Sequence, residues 1–485
     1  MIRLESLRRT IADLSRVHVP ARLYWFVVVV VVVVGFGIFA NPWVVGPSGM
    51  TDRVGEGILI VEGLVGIGWC GTVALTRWRS VQTSIPLPAS ATDSRRASFW
   101  KRVTEAGLFL YIVALWLTMF WPRVSDPKLS SDDASYVEIA GSWESTRENL
   151  FTPFGEHLCV ITRVTTWLVC STVEERNWPR ALAYSGMALF AASFVLLHLF
   201  ARREWDSPTI GLATVSLFVL TPVHSEVVTW YSASQWCWVL MLLFASLLIL
   251  QAGGPVPKNW KLATSAVLAA VGPFNYAVGL LIGPLSAAYL TLCRRPRSVE
   301  LSLSKCIVPI AGTIAFLAGF IPIKASQIMA DASYGGRPAA EAIAPLWGVL
   351  FGVRSTVDML LLCNLGYHRV SMLPRSVYLV LFLSVVFVVT ELIRKSERPG
   401  AAILGFLFVV LPYALMLPFR AWVEYDNFKE WNRYQLFPQV GVVLLVSAAL
   451  AAYAPRWLFA ADLTGRHALF ILALASVQFL VHALN

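Results

Sequence analysis

The chain has 485 residues, 57 % of them hydrophobic and 14 % charged, with a mean hydropathy of +0.65. Soluble domains carry about 25 % charged residues, and barrel strands alternate apolar with polar positions. Long continuous apolar runs therefore exclude both classes and leave an all-α polytopic membrane protein. The net charge of +10 reads as basic loops that orient such a protein, not as a nucleic-acid face.

Residues 1–22 are too polar for a cleaved leader. Leu4, Leu7, Ile11 and Leu14 share one helical face amid Arg3, Arg8, Arg9 and Arg16, which suits a cytoplasmic interfacial helix or tail. Residues 23–103 hold two apolar runs, Tyr24–Ala40 and Gly57–Thr76, and then a basic loop, Arg77–Arg102. A spanning helix needs about 20 apolar residues. On that criterion residues 104–454 supply further spans at Glu105–Trp121, Ala181–Phe200, Thr209–Leu220 and Trp236–Leu250. Leu262–Leu292 reads as two short spans broken near Gly272-Pro273. Ile307–Ile323, Val377–Ile393, Ala401–Leu417 and Gln439–Tyr453 follow, and residues 455–485 add a loop and a last span, Ala468–Leu484. The total is about 13 transmembrane helices. The cysteines, 70, 159, 170, 237, 293, 306 and 363, are scattered without a CxxC pair and read as small hydrophobes.

Basic segments fix the sides. Arg8–Arg16, Arg77–Arg102, Arg202–Arg203, Arg294–Lys305, Arg394–Arg398 and Arg456–Arg466 all fall on one face when the spans alternate. This places the N-terminus in the cytoplasm and the C-terminus outside. Loops 122–180, 222–234, 324–374 and 419–433 then lie on the outer face. Glu156–Cys170 holds Arg163, and Trp347–Cys363 holds Arg354 and Asp358. Both read as interfacial or partly inserted helices, with Trp143, Trp167 and Trp178 at headgroup level.

Acidic residues are scarce, 29 in all, yet Asp132, Asp133, Glu138, Glu144, Glu148 and Glu156 gather in one outer stretch, with His157 and Arg163 at its end. Other outer segments carry His224 and Glu226; Lys324, Tyr334, Arg337 and Glu341; and Glu424 to Arg433-Tyr434. Each has a plain structural alternative: solvated loop acids, a helix cap, or arginines that snorkel to headgroups. Together they combine potential general bases with cationic groups. A carboxylate whose pKa is raised by burial or a like-charged neighbour can deprotonate a hydroxyl, and a guanidinium forks onto phosphate oxygens. Group transfer from a lipid phosphate fits this pairing.

At these residues the sequence resembles the GT-C membrane glycosyltransferases. Asp132-Asp133 resembles their Asp-Asp or Asp-Glu motif, and Phe151-Thr-Pro-Phe-Gly-Glu-His157 with Arg163 resembles the loop helix after it. Thr221-Pro-Val-His-Ser-Glu226 with Trp230 and Ser232 is similar to the H-P-x-H-x-E-x-x-x-W-x-S segment of O-mannosyltransferases of the transmembrane-and-TPR type and their bacterial relatives. Arg433-Tyr434-Gln-Leu-Phe-Pro438-Gln-Val-Gly441 is similar to their R-Y-L-Y-L-P-S-x-G segment. The likeness covers roughly Leu108–Tyr453. Thr221 replaces the usual first His, two spans are expected before the module, and no TPR array is expected after it.

The resemblance implies inverting transfer of a sugar from a polyprenyl-phosphate donor to a hydroxyl of a glycan, lipid or protein acceptor. Asp132 would be the general base, with Asp133 supporting it. His224, Glu226, Arg433 and Tyr434 would line the donor phosphate. Glu156, His157, Arg163 and Arg337 would serve the acceptor or stand behind the reacting groups. No cofactor is required by this reading, although Asp133 and Glu226 have the chemistry to hold Mg²⁺ or Mn²⁺. The unbroken Val27–Val34 run leans towards a bacterial inner membrane. The alternatives are a transporter or flippase for a lipid-linked or anionic substrate, a polymerase or ligase of lipid-linked glycans, and a non-catalytic scaffold.

Overall fold

The computed structural model describes residues 91–129, 131–152, 157–253, 256–294, 301–330, 355–357, 375–396, 398–420, 432–453 and 465–483. The described residues are 88 % helical, with no strand among them. Lys101–Pro122, Glu175–Trp205, Tyr231–Gln251, Ala277–Arg294 and Leu436–Tyr453 are long and apolar enough to cross a membrane. Shorter apolar helices are Pro208–Val219, Val308–Phe320, Pro399–Leu415 and Gly465–Leu480. The chain is thus an all-α protein consistent with a place in the membrane.

Apolar runs dictate most of these helices, and local chemistry sets their ends. Ser207 caps Pro208–Val219 by accepting from the Ile210 N–H at 3.3 Å, with proline in the first turn where no N–H is needed. Helix Trp178–Trp205 ends at Asp206, which takes the left-handed backbone (φ 51°) that Asp tolerates better than most residues. The break expected at Gly272-Pro273 is present: helix Asn259–Val271 gives way to the tight turn Gly272–Phe274. Gly272 and Gly279 lie backbone against backbone there, and a Cβ on Gly279 would run into Gly272 and Pro273. The helix expected to stop at Ile323 continues through Lys324 to Ala330, because Lys324-Ala-Ser-Gln-Ile-Met-Ala330 contains no breaker. The expected spans Tyr24–Ala40 and Gly57–Thr76 lie outside the described residues.

The chain divides into two compact units. One takes its described residues from Met1–Met119, Ser207–Leu220 and Pro455–Asn485. Within it, Tyr111 and Ser476 share a 2.7 Å hydrogen bond between hydroxyls, and Gln478 Nε2 donates to Leu217 O at 3.1 Å.

The other comprises Phe120–Asp206 and Thr221–Ala454. Its helices pack in pairs: Pro399–Arg420 with Leu436–Tyr453, Asn259–Val271 with Val308–Ala330, and Trp178–Trp205 with Gln235–Gln251. Gly405 and Gly441 bring the first pair close; a Cβ on Gly405 would lie 3.0 Å from Gly441 O. Such small-residue approach is the usual way helices associate where lipid provides no hydrophobic drive. Ser246 bonds to Ser265 at 2.7 Å and to Ser286 at 2.8 Å, all fully buried. Bonds of this kind average about 0.6 kcal/mol each in membranes.

Candidate functional site

Asp132 and Asp133 lie in the first turn of helix Ser131–Ile139, where the helix dipole favours negative charge. Asp133 is 2 % exposed, which removes the solvated-loop reading for it, whereas Asp132 is half-buried. Oδ1 of Asp133 accepts from the Ser232 N–H at 2.8 Å and also from the Ser232 hydroxyl. Ser232 belongs to the turn Tyr231–Ser234 at the head of helix Gln235–Gln251.

His224 closes the turn Pro222–His224 and precedes helix Ser225–Thr229. It is fully buried, its ring 5.0 Å from that of Phe190, and its side chain makes no capping bond. Glu226 is half-buried in the first turn that follows. The turn Asn432–Gln435, which carries Arg433 and Tyr434, packs against both Pro222–His224 and Ser225–Thr229. Tyr434 is buried, edge-on to Trp236 at 5.5 Å. The Arg433 side chain is outside the described part, so its backbone alone is placed. Helix Ser131–Ile139 packs against the turn Tyr231–Ser234, which packs in turn against Ser225–Thr229. Segments near residues 132, 224 and 433 are therefore linked through consecutive packed elements of one unit.

His157 precedes and Arg163 lies in the first turn of helix Val160–Thr172, which packs against helix Ser131–Ile139. His157 stacks on Tyr276 at 3.5 Å and accepts at Nδ1 from the Ala277 N–H at 3.3 Å. Arg163 is 2 % exposed. Its Nη1 donates to the carbonyls of Asn149, Leu150 (3.4 Å) and Thr152 (2.5 Å). It thereby ties down the end of helix Trp143–Asn149, where carbonyls lack helical partners. Glu156 and Arg337 lie outside the described residues.

Cys159, before helix Val160–Thr172, has a left-handed backbone (φ 57°), an uncommon conformation for a residue with a Cβ. Its Sγ donates to Gln235 Oε1 at 3.0 Å. Burial pushes the neighbouring Tyr136 phenol far above its ordinary value, Cys159 adding to the shift and Arg163 opposing it. Burial also lowers the Arg163 guanidinium from its usual value, with Cys159 and Tyr136 acting the other way.

No protein-family model, curated protein or solved structure matches this chain.

Asp133 and Glu226 have the donor chemistry for a divalent cation, but Oδ1 of Asp133 is already engaged by Ser232. Among the described residues no three His, Cys, Asp or Glu side chains gather as a metal-binding set.

Two groups escaped the sequence reading. Ser232 was visible only as the last position of a motif, and its carboxylate partner lies 99 residues away. Glu204, next to the basic pair Arg202-Arg203, is 1 % exposed. It accepts from Tyr289 OH at 3.1 Å and Gln251 Nε2 at 3.3 Å, and lies 3.8 Å from Arg398 Nη1. An acid beside two arginines at the end of an apolar run reads as part of a basic loop, so its burial had no sequence signal.

Proposed function

We propose that this chain is a GT-C-type membrane glycosyltransferase of about 13 spans that moves a sugar from a polyprenyl phosphate to an acceptor hydroxyl, with inversion. The observation that supports the reading is the series of packed elements joining the Asp132–Asp133 helix start, the His224–Glu226 segment and the Arg433–Tyr434 turn. In the proposed reaction Asp132 takes the proton of the acceptor hydroxyl. The acceptor oxygen attacks the anomeric carbon while the bond from that carbon to the phosphate oxygen breaks. The electron pair leaves with the polyprenyl phosphate, and Arg433 and His224 stabilise its charge. Asp133, Glu226 and Tyr434 frame these groups, and His157 and Arg163 stand behind the acceptor side.

The membrane proposed is a bacterial inner membrane, with the N-terminus cytoplasmic and the reacting groups and C-terminus on the outer face. Helix Val160–Thr172 suits an interfacial position. It buries its polar residues Thr162, Arg163 and Thr166 and turns Leu168 outward, the reverse of a helix bathed in water.

The test is transfer from a labelled polyprenyl-phosphate sugar in proteoliposomes. Asp132→Asn is expected to abolish transfer without loss of expression or thermal stability. Full activity in that variant removes Asp132 from the chemistry.

A transporter for a lipid-linked or anionic substrate is the second reading, favoured by one observation. Glu204 is a buried carboxylate within a helix long enough to span, and such groups often mark transport paths. Its proximity to Arg398 and its bonds from Gln251 and Tyr289 give it an equally direct structural role.

A further inference from the structure

Ser232 has no part in the chemistry above, yet its backbone N–H and its hydroxyl both bond a carboxylate of the motif. Both residues are 2 % exposed, and both donors of Ser232, backbone N–H and hydroxyl, meet the same oxygen of Asp133. The turn that carries Ser232 is itself anchored. Its neighbour Tyr231 donates to Thr162 O at 3.3 Å and shares a 3.1 Å hydrogen bond with the Thr166 hydroxyl. Thr162 N and Oγ1 both donate to Asn275 Oδ1, at 3.2 and 3.1 Å, and Asn275 Nδ2 donates to Gln235 O at 3.1 Å. Thr162, Thr166, Tyr231, Gln235 and Asn275 are all buried. A donor pair held this way sets where Asp133 sits, and not the reverse.

Asp132 is the preceding residue on the same helical turn, rotated by about 100°. Fixing Asp133 therefore fixes the direction of Asp132, the more exposed of the two. We propose that Ser232 is a positioning residue whose two donors pin Asp133 and so aim Asp132 at the acceptor. That Asp132 meets an acceptor rests on the transferase reading; that Ser232 pins Asp133 does not.

Two measurements on the full chain in lipid nanodiscs separate these statements. The first is carbodiimide labelling of carboxylates with glycine ethyl ester, read peptide by peptide in a mass spectrometer. In the wild type Asp132 is expected to label and Asp133 to be spared. Ser232→Ala should raise labelling of Asp133 several-fold, and Ser232→Thr, which keeps the hydroxyl, should restore protection. Equal labelling of Asp133 in the wild type and Ser232→Ala overturns the pin.

The second is the transfer assay. Ser232→Ala should lower kcat about ten- to a hundredfold, as for loss of a charge-assisted hydrogen bond, with the donor KM unchanged. Should Ser232→Thr fail to fold, the cycle of Ser232→Ala with Asp133→Asn decides. The double variant should be no slower than Asp133→Asn alone, whereas independent, multiplying losses overturn positioning. A wild type that transfers no sugar refutes the transferase reading, and the labelling still decides the pin.

Discussion

Ser232 and Asp133 are 99 residues apart in the chain and joined by two hydrogen bonds to one carboxylate oxygen. A buried carboxylate is costly unless its oxygens are hydrogen-bonded. Here the compensation comes from a turn at the head of one candidate span and from the first turn of the helix that bears the acid. The acidic stretch is thus partly built into the protein, and the division of labour between its adjacent aspartates follows from that. Asp133 is fixed, and Asp132 is left more accessible.

Arg433, the proposed phosphate clamp, lies on a turn packed against the His224 segment. Arg433→Ala is expected to raise the donor KM about ten- to a hundredfold, the equivalent of a charge-assisted hydrogen bond worth about 1.5–3 kcal/mol. Titration of the labelled donor against the variant measures it. An unchanged donor dependence removes Arg433 from the phosphate site.

The sequence disclosed what depends on composition along a single segment. The helix Tyr231–Gln251 is legible as the apolar run Trp236–Leu250, and the break at Gly272-Pro273 as a pair of residues that interrupt helices. It did not disclose what depends on which faces meet. The guanidinium of Arg163, proposed to stand behind the acceptor, is turned onto backbone carbonyls of the preceding loop, partners that no pattern along the chain announces. The left-handed backbone at Cys159 and the burial of Glu204 are likewise set by partners remote in sequence.

Arg163 predicts a stability effect. Arg163→Met keeps much of the buried volume and removes the donors to Asn149, Leu150 and Thr152. Asn149 O keeps its bond from the Thr152 N–H at 3.0 Å, but all three carbonyls lose the guanidinium, at a cost of about 1.5–3 kcal/mol. Thermal melting in detergent should fall accordingly. A melting temperature equal to that of the wild type contradicts the clamp.

Tyr136 predicts alkaline sensitivity. Its phenol is held above the ordinary value of 10.0 by burial. Above pH 10 the unfolded chain gives up this proton and the folded chain keeps it, so the unfolded state binds fewer protons and stability falls as pH rises. Tyr136→Phe cannot lose a proton in either state. Its melting temperature should decline less steeply than that of the wild type between roughly pH 9 and pH 11. Parallel curves for the two proteins refute this contribution.

Glu204 separates the two readings of function. Its carboxylate is buried, but Arg398 is 30 % exposed and 3.8 Å away, so water screens that pair and the bonds from Tyr289 and Gln251 carry more of the effect. Glu204→Ala takes the carboxylate acceptor from the buried Tyr289 hydroxyl, while Gln251 Nε2 keeps its bond to Phe200 O, and should lower stability by about 1–3 kcal/mol. Glu204→Gln retains an acceptor oxygen and should restore much of the loss. If the residue is structural, Glu204→Gln transfers sugar at close to the wild-type rate once folded. If it is the coupling carboxylate of a transporter, the same variant keeps its melting temperature and loses substrate movement across the proteoliposome membrane. Measuring melting, transfer and uptake on one preparation assigns Glu204 to the scaffold or to a path through it.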